Sequence, residues 1–317
     1  MNANRPKQAF QIIFLIAALL IVPAAITLRT IREPGVLAIA TDDPTPLGYT
    51  VSLLLFIVPL LALAAWFSTR RDLQLQRKAF WRTIAVLAPL GFGLDLLFGN
   101  AFFTFPNPDA TLRIGVPAIG GPIPLEEFLF YLTGFMLTLL SYLWADEYWV
   151  CAYNIPDYRA EAKGLPRIAR FHTPSLVLGL ALIAAAVIYK KALSDSPEGF
   201  PWYFTYLTAA SIVPSAGFLH SARPFINWRA FGFTFFLLLL LSLLWEVTLA
   251  IPYGWWGYRP ATMLGAPIGA WSGLPVEAVC VWFAVSFTTI ITYEVIKIWK
   301  ALGRGALEAF FGIKPVG

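Results

Sequence analysis

Long apolar stretches constrain the fold of this chain more than any other feature of its sequence. Crossing the roughly 30 Å hydrocarbon core of a bilayer takes about 20 helical residues. Eight charge-poor stretches of this length occur, at 9–28, 47–67, 80–101, 124–145, 172–193, 201–220, 230–251 and 274–296. Only helices and closed barrels satisfy the backbone inside a bilayer. The stretches therefore predict an all-α polytopic membrane protein with about eight transmembrane helices.

The composition agrees with this class. Hydrophobic residues make up 58% of the 317 residues and charged residues only 13%, whereas about a quarter of the residues in a soluble domain are charged. The net charge of +5 is compatible with nucleic-acid binding, but the cytoplasmic loops of membrane proteins are also basic. We therefore expect membrane lipids around the protein and no nucleic-acid partner.

The loop charges predict an orientation. If alternate loops lie on the same side, seventeen of the 23 lysine and arginine residues fall on one side and six on the other. The positive-inside rule then places both termini in the cytoplasm, as expected for a multi-pass protein of the cell inner membrane. The alternative is a signal peptide over residues 1–25, where Arg5 and Lys7 precede an apolar run that reaches Ala24 and Ala25.

Similar segments recur at a spacing of 151 residues. "KAFWRTIAVL" from position 78 resembles "RAFGFTFFLL" from 229, "DATLRIG" from 109 resembles "PATMLGA" from 260, and "PLEEF" from 124 resembles "PVEAV" from 275. They predict two units, residues 1–150 and 171–317, joined by a cytoplasmic linker at 151–170. With four spans in each unit, the copies run in the same direction, so the repeat is parallel.

Acidic residues lie inside the apolar stretches at matched positions. At the same spacing Asp95 corresponds to Glu246, and Glu126 corresponds to Glu277. An ionised carboxylate near the bilayer centre costs at least about 2.5–3.5 kcal/mol on insertion scales. Glu246 has no lysine or arginine nearby in the sequence. Because desolvation favours the protonated form of a carboxyl group, such an acid is suited to donate a proton.

Structural explanations for the same acids also exist. Acids in the first turn of a helix that begins near Pro124 would complement the helix dipole, each by under about 1 kcal/mol. Asp95 and Glu246 come late in their spans, where they could form hydrogen bonds between helices. More distant acids, Asp146, Glu147 and Glu294, are expected to be solvated at the cytoplasmic end.

The adjacent acids Glu126 and Glu127 are not equivalent in the repeat. Glu126 has a counterpart in Glu277, whereas Glu127 has only Ala278. We therefore predict that Glu126 and Glu277 are the principal proton donor and acceptor, in either order. Glu127 would be the first unit's additional acid, and it would tune or share the proton together with Asp95 and Glu246.

Aromatic residues surround the predicted acids. An interfacial belt is one explanation, and a pocket whose ring faces stabilise a cation is the other. The residues predicted to bind a substrate in this way are Phe103, Phe105, Phe130, Tyr131, Trp256, Tyr258 and Trp271.

The sequence contains no motif for a cofactor or a metal. There is no GxGxxG, P-loop, CxxC or aspartate-rich diphosphate motif, and Cys151 and Cys280 stand alone. Acids and aromatic rings in an apolar environment suit chemistry without a cofactor on a lipid-soluble alkene. An acid protonates a double bond, ring faces stabilise the carbocation, and a carboxylate removes a proton.

At these residues the sequence resembles the membrane-integral lycopene cyclase domain family. The first copy reads Asp95, "FFTFPN" and "VPAIGGPIPLEEFLFY", and the second reads Glu246 and "WWGYRPATMLGAPIGAWSGLPVEAV". The resemblance implies an intramolecular lyase or isomerase that cyclises the linear ends of lycopene to β-rings. It also implies proton transfer by Glu126, Glu127 and Glu277, a carotenoid substrate in the bilayer, and other carotenoid-pathway enzymes as candidate partners.

Two departures from the family pattern leave alternatives open. Ala278 stands where the family usually has a second glutamate. The chain is also longer than many fused members of the family, by what looks like one extra span in each unit. A related terpene or meroterpenoid cyclase is one alternative, since it would use the same protonation step. A proton-coupled transporter of lipids or small molecules is another, and a non-catalytic scaffold is a third.

Overall fold

The computed structural model describes residues 44–268 and 274–313 as a largely helical protein. In this part of the chain six helices are long and apolar enough to cross a membrane. They are Gly48–Thr69, Gln74–Phe102, Leu125–Trp149, Thr173–Ala192, Trp228–Ala250 and Glu277–Leu302. Their length and composition are those of an integral membrane protein.

We number the helices in chain order: α1 Gly48–Thr69, α2 Gln74–Phe102, α3 Leu125–Trp144, α4 Tyr158–Lys163, α5 Thr173–Ala192, α6 Trp202–Ala222, α7 Trp228–Trp245, α8 Glu277–Leu302 and α9 Ala306–Phe311. Wider π-helical turns continue two of these helices, at Ala145–Trp149 after α3 and at Glu246–Ala250 after α7. A π turn inserts a residue into the helical ladder and is frequent at functional sites.

The six long apolar helices overlap six of the eight predicted spans. The predicted span 201–220 corresponds to α6, which is a continuous helix but is not among the six. The predicted span 9–28 lies outside the described residues. A count of eight transmembrane helices therefore stays a prediction.

Two helices form the centre of the bundle. Helix α3 packs against α1, α2, α7 and α8, and α8 also packs against α2, α6 and α7. Helices α3 and α8 begin at the same end of the bundle, which we call the acid end. The opposite end, at which α3 leads into the segment after Trp149, is the linker end. Each end has its own cluster of buried hydrophobic residues.

Short strands organise the loops at the acid end. Strand β1 (Phe103–Thr104) pairs with β4 (Gly257–Tyr258), β2 (Gly115–Val116) with β3 (Ile123–Pro124), and β5 (Pro267–Ile268) with β6 (Leu274–Pro275), all antiparallel. The β1–β4 pair connects the loop after α2 to the loop after α7. The other two pairs are hairpins that lead directly into α3 and α8.

The two loops share further local features. Each contains a short 3-10 turn, at Pro108–Ala110 and Pro260–Thr262, followed by a residue with positive φ. These residues are Arg113, with φ 57°, and Gly265, with φ 81°. The starts of the two 3-10 turns are 152 residues apart, and so are the starts of α3 and α8, whereas β3 and β6 are 151 residues apart.

The linker end contains a buried group of charges, contrary to the sequence-based expectation of solvated acids. Glu294 and Asp146 are buried, and Glu147 is mostly buried. Lys297 Nζ lies 3.6 Å from Asp146, 3.9 Å from Glu147 and 3.8 Å from Glu294. The expectation was wrong because a lysine one helical turn after Glu294 faces the same interior, where it provides a counter-charge.

Hydroxyl and amide groups complete this charge group. Tyr142 and Tyr158 both donate hydrogen bonds to Glu294, and Asn227 Nδ2 donates to Asp146 at 2.9 Å. Burial, with the nearby Glu294 carboxyl group, raises the pKa of Tyr158 well above its usual value. Tyr158 therefore remains a neutral donor, and it ties the short helix α4 to the end of α8.

Candidate functional site

Three carboxyl groups converge at the acid end. Asp95 lies near the end of α2, Glu127 in the first turn of α3, and Glu246 directly after α7. Their exposed fractions are only 4%, 6% and 3%. The charges of Asp95 and Glu246 both act on Glu127, so the three groups are electrostatic neighbours. We call them the acid cluster.

The acid cluster has no basic partner in the described part of the chain. The ion pairs found there involve other carboxyl groups. Three negative charges this close together in an apolar interior would repel one another and would lose their hydration. These conditions favour the protonated form of the carboxyl groups.

Tyrosine side chains lie against two of these acids. Tyr49 donates a hydrogen bond from its hydroxyl group to Glu127 Oε2 at 3.0 Å. The Tyr131 side chain lies close to the Asp95 carboxyl group. The second oxygen of Asp95, Oδ2, is buried and has no hydrogen-bond partner among the described residues. One oxygen of the cluster is thus free to interact with a bound molecule.

The third acid is held by the loop that follows its own helix. Tyr258 in β4 donates a hydrogen bond to Glu246 Oε1, and Trp256 Nε1 donates to the same oxygen at 3.3 Å. Burial, reinforced by the Glu246 carboxyl group, raises the pKa of Tyr258 well above its usual value. Tyr258 is therefore protonated at physiological pH and serves as a permanent donor.

A glycine makes room for the first acid. A Cβ atom at Gly99, one turn after Asp95 on α2, would lie 2.5 Å from Asp95 Oδ1 and 2.8 Å from Ile123 Cδ1. Contacts this short do not occur for real side chains. Position 99 therefore needs glycine if Asp95 is to keep this position under the β2–β3 hairpin.

Aromatic rings pack directly beside the acid cluster. Five of them form what we call the aromatic cluster: Tyr49, Phe130, Trp245, Trp255 and Trp256. The ring centroids of Trp245 and Trp256 are 5.0 Å apart, those of Tyr49 and Trp256 5.2 Å, and those of Phe130 and Trp245 5.5 Å. The negative faces of such rings attract a cation, most strongly where water is excluded.

Most of the predicted substrate-binding aromatics lie in this region. Phe130 and Trp256 belong to the aromatic cluster, and Tyr258 contacts Phe103 at a centroid distance of 5.5 Å. Tyr131 lies close to Asp95, outside the five rings of the aromatic cluster. Phe105 packs against the same buried core. Trp271 lies outside the described residues.

Three tyrosines of the site were not among the residues predicted from the sequence. Tyr49 lies in the first turn of α1, and Tyr203 and Tyr206 lie in the first turns of α6. Tyr203 packs on Phe102 and Phe103, with centroid distances of 4.8 Å and 5.3 Å. Each stands at a span end, where an aromatic side chain usually indicates the membrane interface. Only the packing of α1 and α6 distinguishes a site residue from an interfacial one.

Glu126 and Glu277 direct their hydrogen bonds to the loops. Glu126 Oε1 accepts from the backbone nitrogen of Leu112 at 2.7 Å and from Thr50 Oγ1 at 2.5 Å. Glu277 Oε1 accepts from the backbone nitrogen of Leu264 at 2.5 Å. Both side chains are fully buried. Glu126 and Glu277 therefore anchor the loops that precede α3 and α8. Glu127 instead accepts a hydrogen bond from Tyr49 of the aromatic cluster, and Glu246 accepts from Trp256 and Tyr258.

The environment of Glu277 differs from that of Glu126 in one respect. Lys190, near the end of α5, is fully buried, and its charge acts on Glu277. Lys190 Nζ and Glu277 Oε2 are both without a hydrogen-bond partner in the described ranges 44–268 and 274–313. Glu277 is therefore the acid of the predicted set that has a positive charge nearby.

The site offers proton transfer and cation stabilisation. Among the described residues no group of three His, Cys, Asp or Glu is arranged to hold a metal ion. The groups that converge are buried carboxyl groups, tyrosine hydroxyls and aromatic faces. In a low-dielectric interior such preorganised groups stabilise developing charge more strongly than water does.

Comparison of the chain with models of protein families, with curated proteins and with solved structures found no match. The function must therefore be inferred from the acid cluster and the aromatic cluster themselves.

Proposed function

We propose that this protein is a membrane-embedded isoprenoid cyclase that works without a cofactor, of the lycopene β-cyclase type. The observation that carries the proposal is the convergence of Asp95, Glu127 and Glu246, without a basic partner, beside a cluster of five aromatic rings. A protonated acid next to cation-stabilising ring faces is what alkene protonation needs. The resemblance to the lycopene cyclase domain points to the same chemistry.

In this proposal the acid cluster performs both proton transfers. Glu127, at the centre of the cluster, donates a proton to the terminal double bond of a linear isoprenoid. The resulting carbocation is attacked by a second double bond, which closes the ring. A carboxylate of the cluster then accepts a proton from a neighbouring carbon. One proton enters and one leaves, so the product is an isomer of the substrate.

Glu126 and Glu277 are positioning residues in this mechanism. Each accepts a hydrogen bond from the backbone of the loop that precedes its helix. Those loops lie over the acid end, and the β1–β4 pair that joins them includes Tyr258, the donor to Glu246. The sequence-based hypothesis gave the principal proton transfers to Glu126 and Glu277. The hydrogen bonds favour Glu127 with Asp95 and Glu246 instead.

We also propose that the two halves are tandem copies of one unit. The matched loops, each with a 3-10 turn, a hairpin and a buried glutamate bonded to the loop backbone, support this repeat. The copies have diverged in the acid cluster, because the second copy has Ala278 at the position that corresponds to Glu127. A single active site between two unequal copies is consistent with that difference.

A proton-coupled transporter is supported less well. Such a protein needs polar groups along a path between the two sides of the membrane. The acid cluster and the charge group around Lys297 do lie at opposite ends of the bundle. Between them, however, the cavities along α3 are lined mainly by leucine and aromatic side chains, such as Leu137, Leu241 and Trp144. This apolar middle favours a hydrocarbon substrate over a proton path.

Isotope incorporation tests the proposed reaction. The purified protein, in detergent and therefore without a proton gradient, would be incubated with lycopene in deuterated water. We expect cyclic product that carries one deuterium for each ring formed, because the donated proton comes from an exchangeable acid. A product without deuterium, or no cyclic product at all, would refute the mechanism. Glu127→Gln protein is the control and should form no ring.

A further inference from the structure

Two apolar cavities lie end to end between α1, α3 and α7. The first is lined by residues that include Leu53, Phe130 and Trp245. The second is lined by residues that include Trp66, Trp144 and Tyr148. Leu137 and Leu241 line both cavities. Because they share these two leucines, the cavities are direct neighbours, and we call the pair of them the apolar groove.

The apolar groove starts at the candidate active site. Phe130 and Trp245, which line its first part, are members of the aromatic cluster. Phe130 follows Glu127 by three residues on α3, and residues at this spacing lie on the same helix face. Glu246 directly follows Trp245 on the other wall. A chain that lies in the groove therefore has one end beside the acids.

The length and polarity of the groove match a linear hydrocarbon. From Phe130 to Tyr148, eighteen residues along α3 and its π turn, the rise is about 27 Å at about 1.5 Å per residue. This is close to the roughly 30 Å thickness of a bilayer core. The hydroxyl group of Thr133, one of the few polar groups in the wall, donates to the backbone of its own helix. The wall thus offers little to a polar ligand.

We propose that the apolar groove binds the unreacted length of a long linear isoprenoid while one end reacts at the acid cluster. The identity of the reacting end rests on the proposed cyclase function, but the groove itself does not. Leu137 and Leu241 stand at the junction of the two cavities. They therefore determine whether a chain can extend beyond the first cavity, which makes them specificity-determining residues for chain length.

The proposal is tested by blocking the junction. Leu137→Trp and Leu241→Trp place a larger side chain there, and Leu240→Trp is the matched control because Leu240 neighbours Leu241 but is 39% exposed on the outside of α7. Each full-length variant would be given a forty-carbon linear polyene and a twenty-carbon analogue with the same terminal group. We expect conversion of the long substrate to fall by about tenfold or more in both junction variants.

The short substrate and the control variant make this result specific. The junction variants should convert the twenty-carbon analogue within about twofold of the unmodified protein, because the acids and the end of the first cavity at Phe130 and Trp245 are unchanged. Leu240→Trp should convert both substrates normally. Equal losses for both substrates, or normal conversion of the long substrate by both junction variants, would overturn the groove as the chain-binding site.

A binding measurement separates this proposal from the cyclase proposal. The amount of polyene that remains with the purified protein can be read from the visible absorbance of the polyene. Polyene that is retained by the unmodified protein and by Leu240→Trp, but lost from Leu137→Trp, supports the groove even if no ring forms. Equal retention by all three proteins, as expected if phospholipid chains occupy the groove instead, would overturn it.

Discussion

At the scale of single residues, two neighbouring glutamates have different environments. Adjacent residues on a helix point about 100° apart, so Glu126 and Glu127 face different surroundings. Glu126 bonds to the backbone of Leu112, and Glu127 bonds to Tyr49 beside the aromatic cluster. Glu126 and Glu277, which the 151-residue spacing pairs, each accept a hydrogen bond from the backbone of a loop. The spacing alone did not indicate that these side chains bond to loops.

Removing the hydroxyl group that donates to Glu127 should slow the reaction without lowering the stability of the folded protein. Tyr49→Phe keeps the ring in the aromatic cluster and deletes the 3.0 Å hydrogen bond to Glu127. A hydrogen bond to a group that becomes charged is worth about 1.5–3 kcal/mol, so we expect ring formation to slow by about tenfold or more. Initial rates in detergent provide the measurement.

Tyr253→Phe is the control for this prediction. Tyr253 stacks on Trp255 at the edge of the aromatic cluster, with a centroid distance of 6.2 Å, and its hydroxyl group has no role in the proposed mechanism. The variant should react at the normal rate. If Tyr49→Phe also reacts normally, Tyr49 does not position the proton donor.

The loop anchors should affect stability more than chemistry. Glu126→Ala leaves the backbone nitrogen of Leu112 and the hydroxyl group of Thr50 without their acceptor. An unsatisfied buried polar group costs about 1–3 kcal/mol, so the thermal unfolding temperature in detergent should fall clearly. Glu126→Gln retains an acceptor oxygen and should unfold near the normal temperature. Equal unfolding temperatures for Glu126→Ala and the unmodified protein would contradict this role.

At the scale of helices and loops, the long apolar helices could be predicted because their length is dictated by the bilayer. The residues at which these helices end were predicted less accurately. The last predicted span stopped at residue 296 because Lys297 interrupts the apolar run, yet α8 continues to Leu302. It continues because Lys297 is paired with acids from the end of α3 and from α8 itself. Such partners are distant in sequence, so no local pattern shows them.

The loops at the acid end were beyond prediction for a similar reason. Each strand has only two residues, too few for the alternating pattern that identifies a longer strand. Their pairing depends on tertiary contacts, as between Phe103 and Tyr258, which are far apart in the sequence. The aromatic residues Phe103 and Tyr258 could be singled out from the sequence, but the strand pair that brings them together could not.

The charge group at the linker end should be essential for stability. Lys297→Met removes the positive charge that faces Asp146, Glu147 and Glu294. Loss of one partner from a buried ion pair typically costs about 3–5 kcal/mol, because the remaining charge is left uncompensated. We expect the unfolding temperature of Lys297→Met to fall steeply in detergent.

A second substitution should repair part of this loss. Glu294→Gln in the Lys297→Met background removes one uncompensated carboxyl group, while the amide oxygen still accepts from Tyr142 and Tyr158. The double variant should therefore unfold at a higher temperature than Lys297→Met alone. A double variant that is no more stable than the single one would show that charge balance is not what holds this end together.

At the scale of the whole molecule, the bundle has a polar group at each end and an apolar middle. The acid cluster lies at one end, the Lys297 charge group at the other, and the apolar groove between them. Composition and span length were enough to predict the membrane class. They could not predict the groove, because its walls come mainly from α1, α3 and α7, which are separate in sequence and which each resemble an ordinary membrane span.

Thiol labelling can test the predicted orientation. Cys151 is exposed just after the end of α3, and Cys280 is only partly exposed, in the first turn of α8. If the linker end is cytoplasmic, a membrane-impermeant maleimide should label Cys151 in inverted vesicles and not in intact spheroplasts. Cys151→Ser should abolish that labelling. Labelling of Cys151 from outside intact cells would show that the orientation is opposite to the predicted one.

We propose that the acid cluster around Glu127, and not the pair Glu126 and Glu277, carries the chemistry. The most direct test is the pigment formed in a host that accumulates lycopene and expresses either Glu127→Gln or Glu126→Gln at equal protein levels. The proposal predicts that Glu127→Gln leaves the pigment acyclic, whereas Glu126→Gln still produces rings. Cyclic pigment at the normal level from Glu127→Gln, or its loss in Glu126→Gln alone, would contradict it.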